Sequence, residues 1–130
     1  MLNKLSFEDL ILWQRAHDAV LRTYQYTTRL PPEEAEGLRS ELRTSTRTIA
    51  SHIAEGHEAT NPGRRMQFLC YAQEALKRTR YLYILSVDLS YGTDSKLKEL
   101  LDEVEVLLID FMSLTRNNLR LNFSDQVETA

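Results

Sequence analysis

An all-α fold, an up-and-down antiparallel four-helix bundle, is what this sequence predicts, and three observations predict it. The composition, 42% hydrophobic and 27% charged with only four Gly and three Pro, is globular and poor in the turn residues that sandwiches and barrels need. Apolar residues recur at helical spacing in four separate stretches. Short segments containing Pro, Gly and Asn join those stretches, which favours antiparallel neighbours. At 130 residues the chain has the length of one domain and can bury a core without disulfide or metal support.

The first helix is expected over 7–29. Ser6 offers an N-cap hydroxyl, and Asp9 three positions later resembles its capping-box partner. Leu10, Trp13, His17, Val20, Leu21 and Tyr24 supply an apolar face, and Leu30, Pro31 and Pro32 end it. The second helix is expected over 32–55, opened by Pro32 and by Glu33, Glu34 and Glu36, whose charge suits a helix N-terminus. Its stripe is Leu38, Leu42, Thr46, Ile49 and Ile53, with small Ser45, Ala50 and Ala54 alongside and Gly56 placed as the residue just past its end.

Asn61 and Pro62 read as the cap and first turn of a third helix over 63–90, with a core face of Phe68, Leu69, Ala72, Leu76, Tyr83 and Leu89. Thr79, Leu82 and Ser86 flank that face, and Gly92 closes the helix. Thr93 or Asp94 caps the fourth helix, expected over 94–118 with the stripe Leu97, Leu100, Leu101, Val104, Leu108, Phe111 and Leu114. The bundle thus occupies 1–119, and 120–130 reads as a frayed tail.

A single cysteine, Cys70, precludes an intramolecular disulfide framework, and MLNKLSFEDL lacks the apolar run of about 7 to 15 residues that marks a secretory signal. A cytoplasmic protein is expected. No apolar stretch approaches the roughly 20 residues needed to span a bilayer. The formal net charge of −3 is unevenly spread. Residues 37–80 carry eight Arg or Lys against four Glu, whereas 94–112 carry six acids against Lys96 and Lys98. Such asymmetry suits either a polyanion on one face or pairing between subunits.

Residues for chemistry are few. His17, His52, His57 and Cys70 have no recognisable triad partner, and the paired Glu-x-x-His motifs of a bundle di-iron site are absent. There is no phosphate-cradling glycine loop, nucleophile elbow or HExxH sequence. The expectation is a protein with no catalytic residue, no metal site and no cofactor.

The most informative local pattern is Arg39, Arg43 and Arg47, three guanidinium groups at four-residue spacing beside the core stripe of the second helix. Such a ridge contacts phosphates, pairs with acids of a neighbouring helix or subunit, or stays solvated. A second basic group, Arg64, Arg65, Lys77, Arg78 and Arg80, is interleaved with Tyr71, Tyr81 and Tyr83. Basic residues with aromatics suit single-stranded nucleic acid, and Tyr and Arg are also enriched in protein interfaces.

Phe7-Glu8-Asp9-Leu10, Trp13-Gln14, Leu30-Pro31, Gly37-Leu38, Leu42-Arg43, Ile53-Ala54-Glu55-Gly56, Phe68-Leu69 and Asp88-Leu89, with Ala16, Tyr24, Glu34, Ile49, Arg64 and Ala72 between them, form a distinctive set. Over about residues 5–92 it resembles the four-helix bundle proteins encoded in 23S ribosomal RNA intervening sequences. The resemblance implies a homopentamer without established enzymatic activity. It also implies kinship with the accessory variability determinant proteins of diversity-generating retroelements, pentamers that bind a reverse transcriptase and nucleic acid through basic residues, and it points to Arg39, Arg43, Arg47 and Arg64. His52 stands where the family commonly has Asn, and Arg78 and Arg80 stand where it has two Glu.

The functional expectation is a non-enzymatic homo-oligomeric accessory protein that binds RNA or DNA through basic helix faces, with no membrane partner. A protein-binding adaptor or scaffold without nucleic-acid contact is the alternative.

Overall fold

The computed structural model describes residues 6–129; Met1–Leu5, half of the segment read for a signal, and Ala130 at the end of the expected tail lie outside the described residues. Among the described residues there are four α-helices and two short 3-10 turns. The helices are α1 (Ile11–Thr27), α2 (Leu38–Glu58), α3 (Pro62–Asp88) and α4 (Ser95–Thr129). Each packs on its neighbour in the chain and α4 closes back onto α1, whereas the diagonal helices α1 and α3 meet only through side chains, Tyr26 against Tyr83 at 5.4 Å between ring centroids. This is a four-helix bundle with one core.

Ser6 caps a 3-10 turn over Phe7–Asp9, not α1 itself. Its Oγ accepts from the Glu8 amide at 3.3 Å, and Asp9 makes no reciprocal bond. The α-helix begins at Ile11 after Leu10, whose extended backbone turns the chain into the bundle. The face that α1 buries is also rotated from the expected stripe: Leu12, Ala16, Ala19, Val20, Thr23, Tyr26 and Thr27 are buried, Leu10, Trp13 and Tyr24 lie at its edges, and Leu21 is 52% exposed. Small residues fill the centre of the contact because two neighbouring helices must approach there. The hydroxyls of Thr23 and Thr27 return to the carbonyls of Ala19 and Thr23 at 2.7 and 2.8 Å, which allows them to be buried.

Pro32 likewise opens only a 3-10 turn, Pro32–Glu34, and α2 starts later, at Leu38. Glu34 Oε1 accepts from the Leu38 amide at 3.2 Å and satisfies one free donor of that helix end. Gly56 is not the residue past the end of α2 but lies inside it. A Cβ there would sit 3.2 Å from Leu69 Cδ2 and 3.3 Å from Phe68 Cβ, so the glycine serves the close approach of α3. The α2–α3 pair is the most extensive contact in the bundle, and Thr79 Oγ1 donates to Ser45 Oγ at 2.7 Å across it.

Asn61 caps α3, its Oδ1 accepting from the Arg64 amide at 3.0 Å. The helix ends in a Schellman turn: the Tyr91 amide donates to Ser86 O at 3.0 Å and the Ser90 amide to Val87 O at 2.9 Å. Ser90, with φ 69°, takes the left-handed position, and Gly92, with φ 105°, faces the Arg29 guanidinium. Leu89, expected in the core, is 47% exposed. Asp94 caps α4 by accepting from the Leu97 amide at 3.0 Å. Met112 and Thr115 continue the buried face where Leu114, 66% exposed, was expected. The helical backbone of α4 runs on to Thr129, past the expected end near residue 118, since no Gly or Pro interrupts it after Gly92.

Candidate nucleic-acid interface

The carbonyls at the end of a helix lack intrahelical partners, and cations are favoured beside them. The arginine ridge of α2 meets that demand at the end of α1. Arg39 donates through Nε to Thr27 O at 3.1 Å and through Nη2 to Leu30 O. Arg43 donates through Nε to Thr27 Oγ1 at 2.8 Å and through Nη2 to Tyr24 O at 3.4 Å, with its guanidinium 4.5 Å from the Tyr24 ring centroid. Arg47 donates to the Tyr24 hydroxyl and, at 3.3 Å, to Thr44 Oγ1.

Helical spacing therefore brings the three guanidinium groups together on one edge, but their partners are neutral oxygens. None forms an ion pair among the described residues, so the local positive charge is not cancelled. With Tyr24, Ala35, Ser40 and Thr44 they line a depression of about 240 Å³ that no carboxylate enters.

The second basic group divides. Arg65 donates to Gly56 O at 3.0 Å, His57 O at 3.2 Å and Ala59 O at 3.0 Å, repeating at the end of α2 the device that Arg39 and Arg43 use at the end of α1. Arg80 is held between Asp102 and Glu105 of α4 at 2.8 and 2.9 Å. That arginine hydrogen bond, above all, holds the Asp102 carboxyl below its usual range. Arg64 lies 4.9 Å over the Phe68 ring, and Lys77 and Arg78 are exposed.

Arg78 opens onto a groove of about 430 Å³ between α2 and α3, with Glu41, Thr48 and Tyr81 on its walls. Ser40 and Thr44, both exposed, border both this groove and the arginine depression, so the two lie side by side across the outer edge of α2. Of the interleaved tyrosines, Tyr71 and Tyr81 are exposed. Tyr83 is buried and bonds the Asp94 backbone through its hydroxyl.

Three further features escaped the sequence. Ser40 and Thr44 carry only weak signals as isolated hydroxyls, although they stand between the two basic patches. Asp94, expected only as one of two possible caps, also receives Arg22 Nε on both carboxylate oxygens at 3.0 and 2.9 Å. Tyr26 and Arg29 donate to Gly92 O and Thr93 O at 2.8 and 2.9 Å, fastening the α3–α4 connection to α1. Burial, reinforced by the neighbouring Tyr83, pushes the Tyr26 hydroxyl above its ordinary pKa.

His17 stacks on Trp13 at 4.9 Å, and His52 packs against Phe68 and Tyr71 with Nδ1 3.5 Å from Glu55 Oε1. Among the described residues no three His, Cys, Asp or Glu side chains gather as metal ligands, and no helix is long and apolar enough to cross a membrane.

Fold and surface together define an all-helical bundle with three arginines outside any ion pair along one edge of α2. The family model of the 23S rRNA-intervening sequence protein matches residues 8–109, and the chain belongs to that family. Against curated proteins the chain finds no match.

Proposed function

We propose that the chain is a non-enzymatic, homo-oligomeric accessory protein of the cytoplasm that binds RNA or DNA along the outer side of α2. The observation that carries this reading is the adjacency of the arginine depression and the Arg78 groove, parted by the exposed hydroxyls of Ser40 and Thr44, with the exposed Tyr81 on the far wall. Arginines supply phosphate contacts, and the aromatic ring offers a surface on which a base stacks. The family name, with its reference to ribosomal RNA, agrees with a nucleic-acid context.

In this reading the helices run up and down in antiparallel order and five bundles form a ring, so that weak contacts repeated on each subunit add by multivalency. A nucleic-acid enzyme such as a reverse transcriptase is a fitting partner, on the kinship with retroelement accessory proteins that the family resemblance implies. The alternative, a protein-binding adaptor or scaffold, draws on Val106, Ile109 and Leu114, which leave apolar surface exposed on α4. Arg80 is already engaged by α4 of its own chain, which removes one of the cations that would dock on a neighbour's acidic helix.

The test is binding of nuclease-treated protein to labelled single-stranded RNA and duplex DNA at low and moderate salt, with mass followed by light scattering. We expect an oligomer whose single-strand affinity falls with salt by a logarithmic slope of about 0.7 per phosphate contacted. The variant Arg47→Glu, Arg78→Glu, which leaves the Arg39 and Arg43 clamps on the end of α1 intact, should bind more weakly and with a shallower slope. An intact oligomer that binds neither nucleic acid at low salt would overturn this reading in favour of the adaptor.

A further inference from the structure

The arginine depression is a more defined object than a basic patch. Arg39 and Arg43 each spend Nε and Nη2 on α1 and its exit, and Arg47 spends Nη1 and Nη2 on Tyr24 and Thr44. A guanidinium carries five N–H donors, so Nη1 of Arg39 and of Arg43 and Nε of Arg47 remain free to donate, beside the exposed hydroxyl of Ser40. These groups are already held in place by the end of α1, which lowers the entropy lost when an anion binds.

Size and charge narrow the ligand. A volume of about 240 Å³ lies below the roughly 300 Å³ at which pockets begin to enclose whole small molecules, so the depression takes a single group and not a nucleotide. The nearby end of α1 is the negative pole of that helix, but its free carbonyls are taken up by Arg39 and Arg43. Three cations remain, with no carboxylate on the walls. A phosphate monoester, with a charge of about −1.5 to −2 and three acceptor oxygens, matches them better than a diester with a single charge.

We infer that Tyr24, Arg39, Ser40, Arg43, Thr44 and Arg47 form a seat for one terminal phosphate monoester. The nucleic-acid reading enters only in naming the bearer: on that reading the group is the phosphorylated end of a single strand, which the adjoining groove then guides toward Arg78 and Tyr81.

The full chain is titrated with inorganic phosphate by calorimetry at low salt. It is also titrated with an oligothymidylate bearing a terminal phosphate and with the same oligomer ending in a hydroxyl. Arg47→Gln is the test variant, because Arg47 holds only side-chain hydroxyls, and Lys77→Gln removes the same charge elsewhere. Unfolding midpoints confirm that both variants fold.

The expected result is phosphate binding weakened about tenfold by Arg47→Gln, the scale of one charge-assisted hydrogen bond, and less than about twofold by Lys77→Gln. The phosphorylated oligomer should bind about tenfold more tightly than its hydroxyl counterpart. Absence of phosphate binding, or equal losses in the two variants, overturns the seat, including where both oligomers still bind alike. Phosphate binding that depends on Arg47 while neither oligomer binds supports the seat and overturns the nucleic-acid reading.

Discussion

Replacing Arg43 with Ala tests whether the ridge of α2 is part of the scaffold as well as of the surface. The substitution removes a 2.8 Å bond to Thr27 Oγ1, a 3.4 Å contact to Tyr24 O, and a guanidinium 4.5 Å over the Tyr24 ring. A hydrogen bond with a charged partner contributes about 1.5 kcal/mol net, the longer contact little, and a partly exposed cation–π pair about 0.5 kcal/mol. The Thr27 hydroxyl keeps its own bond to Thr23 O, so no buried donor is stranded. The expected loss is about 2 kcal/mol, a fall in Tm of roughly 8 °C for a domain of this size.

Urea unfolding followed by circular dichroism, at one fixed protomer concentration because oligomerisation shifts apparent stability, measures it. Arg47→Ala, which touches only two hydroxyls at the surface, should cost less than about 0.5 kcal/mol. If Arg43→Ala stays within about 0.5 kcal/mol of the parent, or if Arg47→Ala costs as much as Arg43→Ala, the end of α1 is not held in the way described. The comparison also governs how binding data are read: a triple charge reversal of Arg39, Arg43 and Arg47 would damage the fold together with the surface.

Two other predictions concern the α3–α4 connection and the acid limb of stability. Ser90→Gly should stabilise by about 0.5 to 1 kcal/mol, because glycine occupies the left-handed position of the Schellman turn without steric cost, and Gly92→Ala should destabilise by strain at φ 105°; thermal melts of the two should move in opposite directions. The Asp102 carboxyl sits below its ordinary value of 3.8 when folded, so the unfolded chain binds more protons near that pH. Its contribution is therefore complete above the unfolded pKa and is lost as pH falls through the lower folded value. Asp102→Asn should flatten the stability profile below about pH 4, and an unchanged acid limb would refute the Arg80 pairing as its cause.

Periodicity located the helices well where large aliphatic residues carry it. Leu38, Leu42, Ile49 and Ile53 of α2 and Leu97, Leu101, Val104 and Leu108 of α4 are buried as expected. It failed on α1, where Ala16, Ala19, Thr23 and Thr27 face the core, because small and hydroxylated residues weigh little in any hydrophobic pattern. Starts of helices were blurred for a related reason. Ser6 and Pro32 are genuine turn signals, yet a 3-10 turn uses the same residues as an α-helix, and the choice between them rests on packing that follows. Gly56 shows the same ambiguity, since a glycine past a helix end and a glycine under a crossing helix look identical in one dimension.

By itself the sequence determined the helical class, the number of helices, the core stripes of α2 and α4, and the gathering of Arg39, Arg43 and Arg47 on one edge. All of these depend on spacing along a single helix. Tertiary structure alone decided what those arginines do. Their partners, Tyr24, Thr27 and Leu30, lie on the preceding helix and its exit, and nothing in residue order reveals that a helix end with free carbonyls will stop beside them. It likewise separated Arg65 and Arg80, taken up by carbonyls and carboxylates, from Arg78, left open to the groove. A charge is available to a ligand only when the fold has not already satisfied it, and that depends on neighbours distant in the chain.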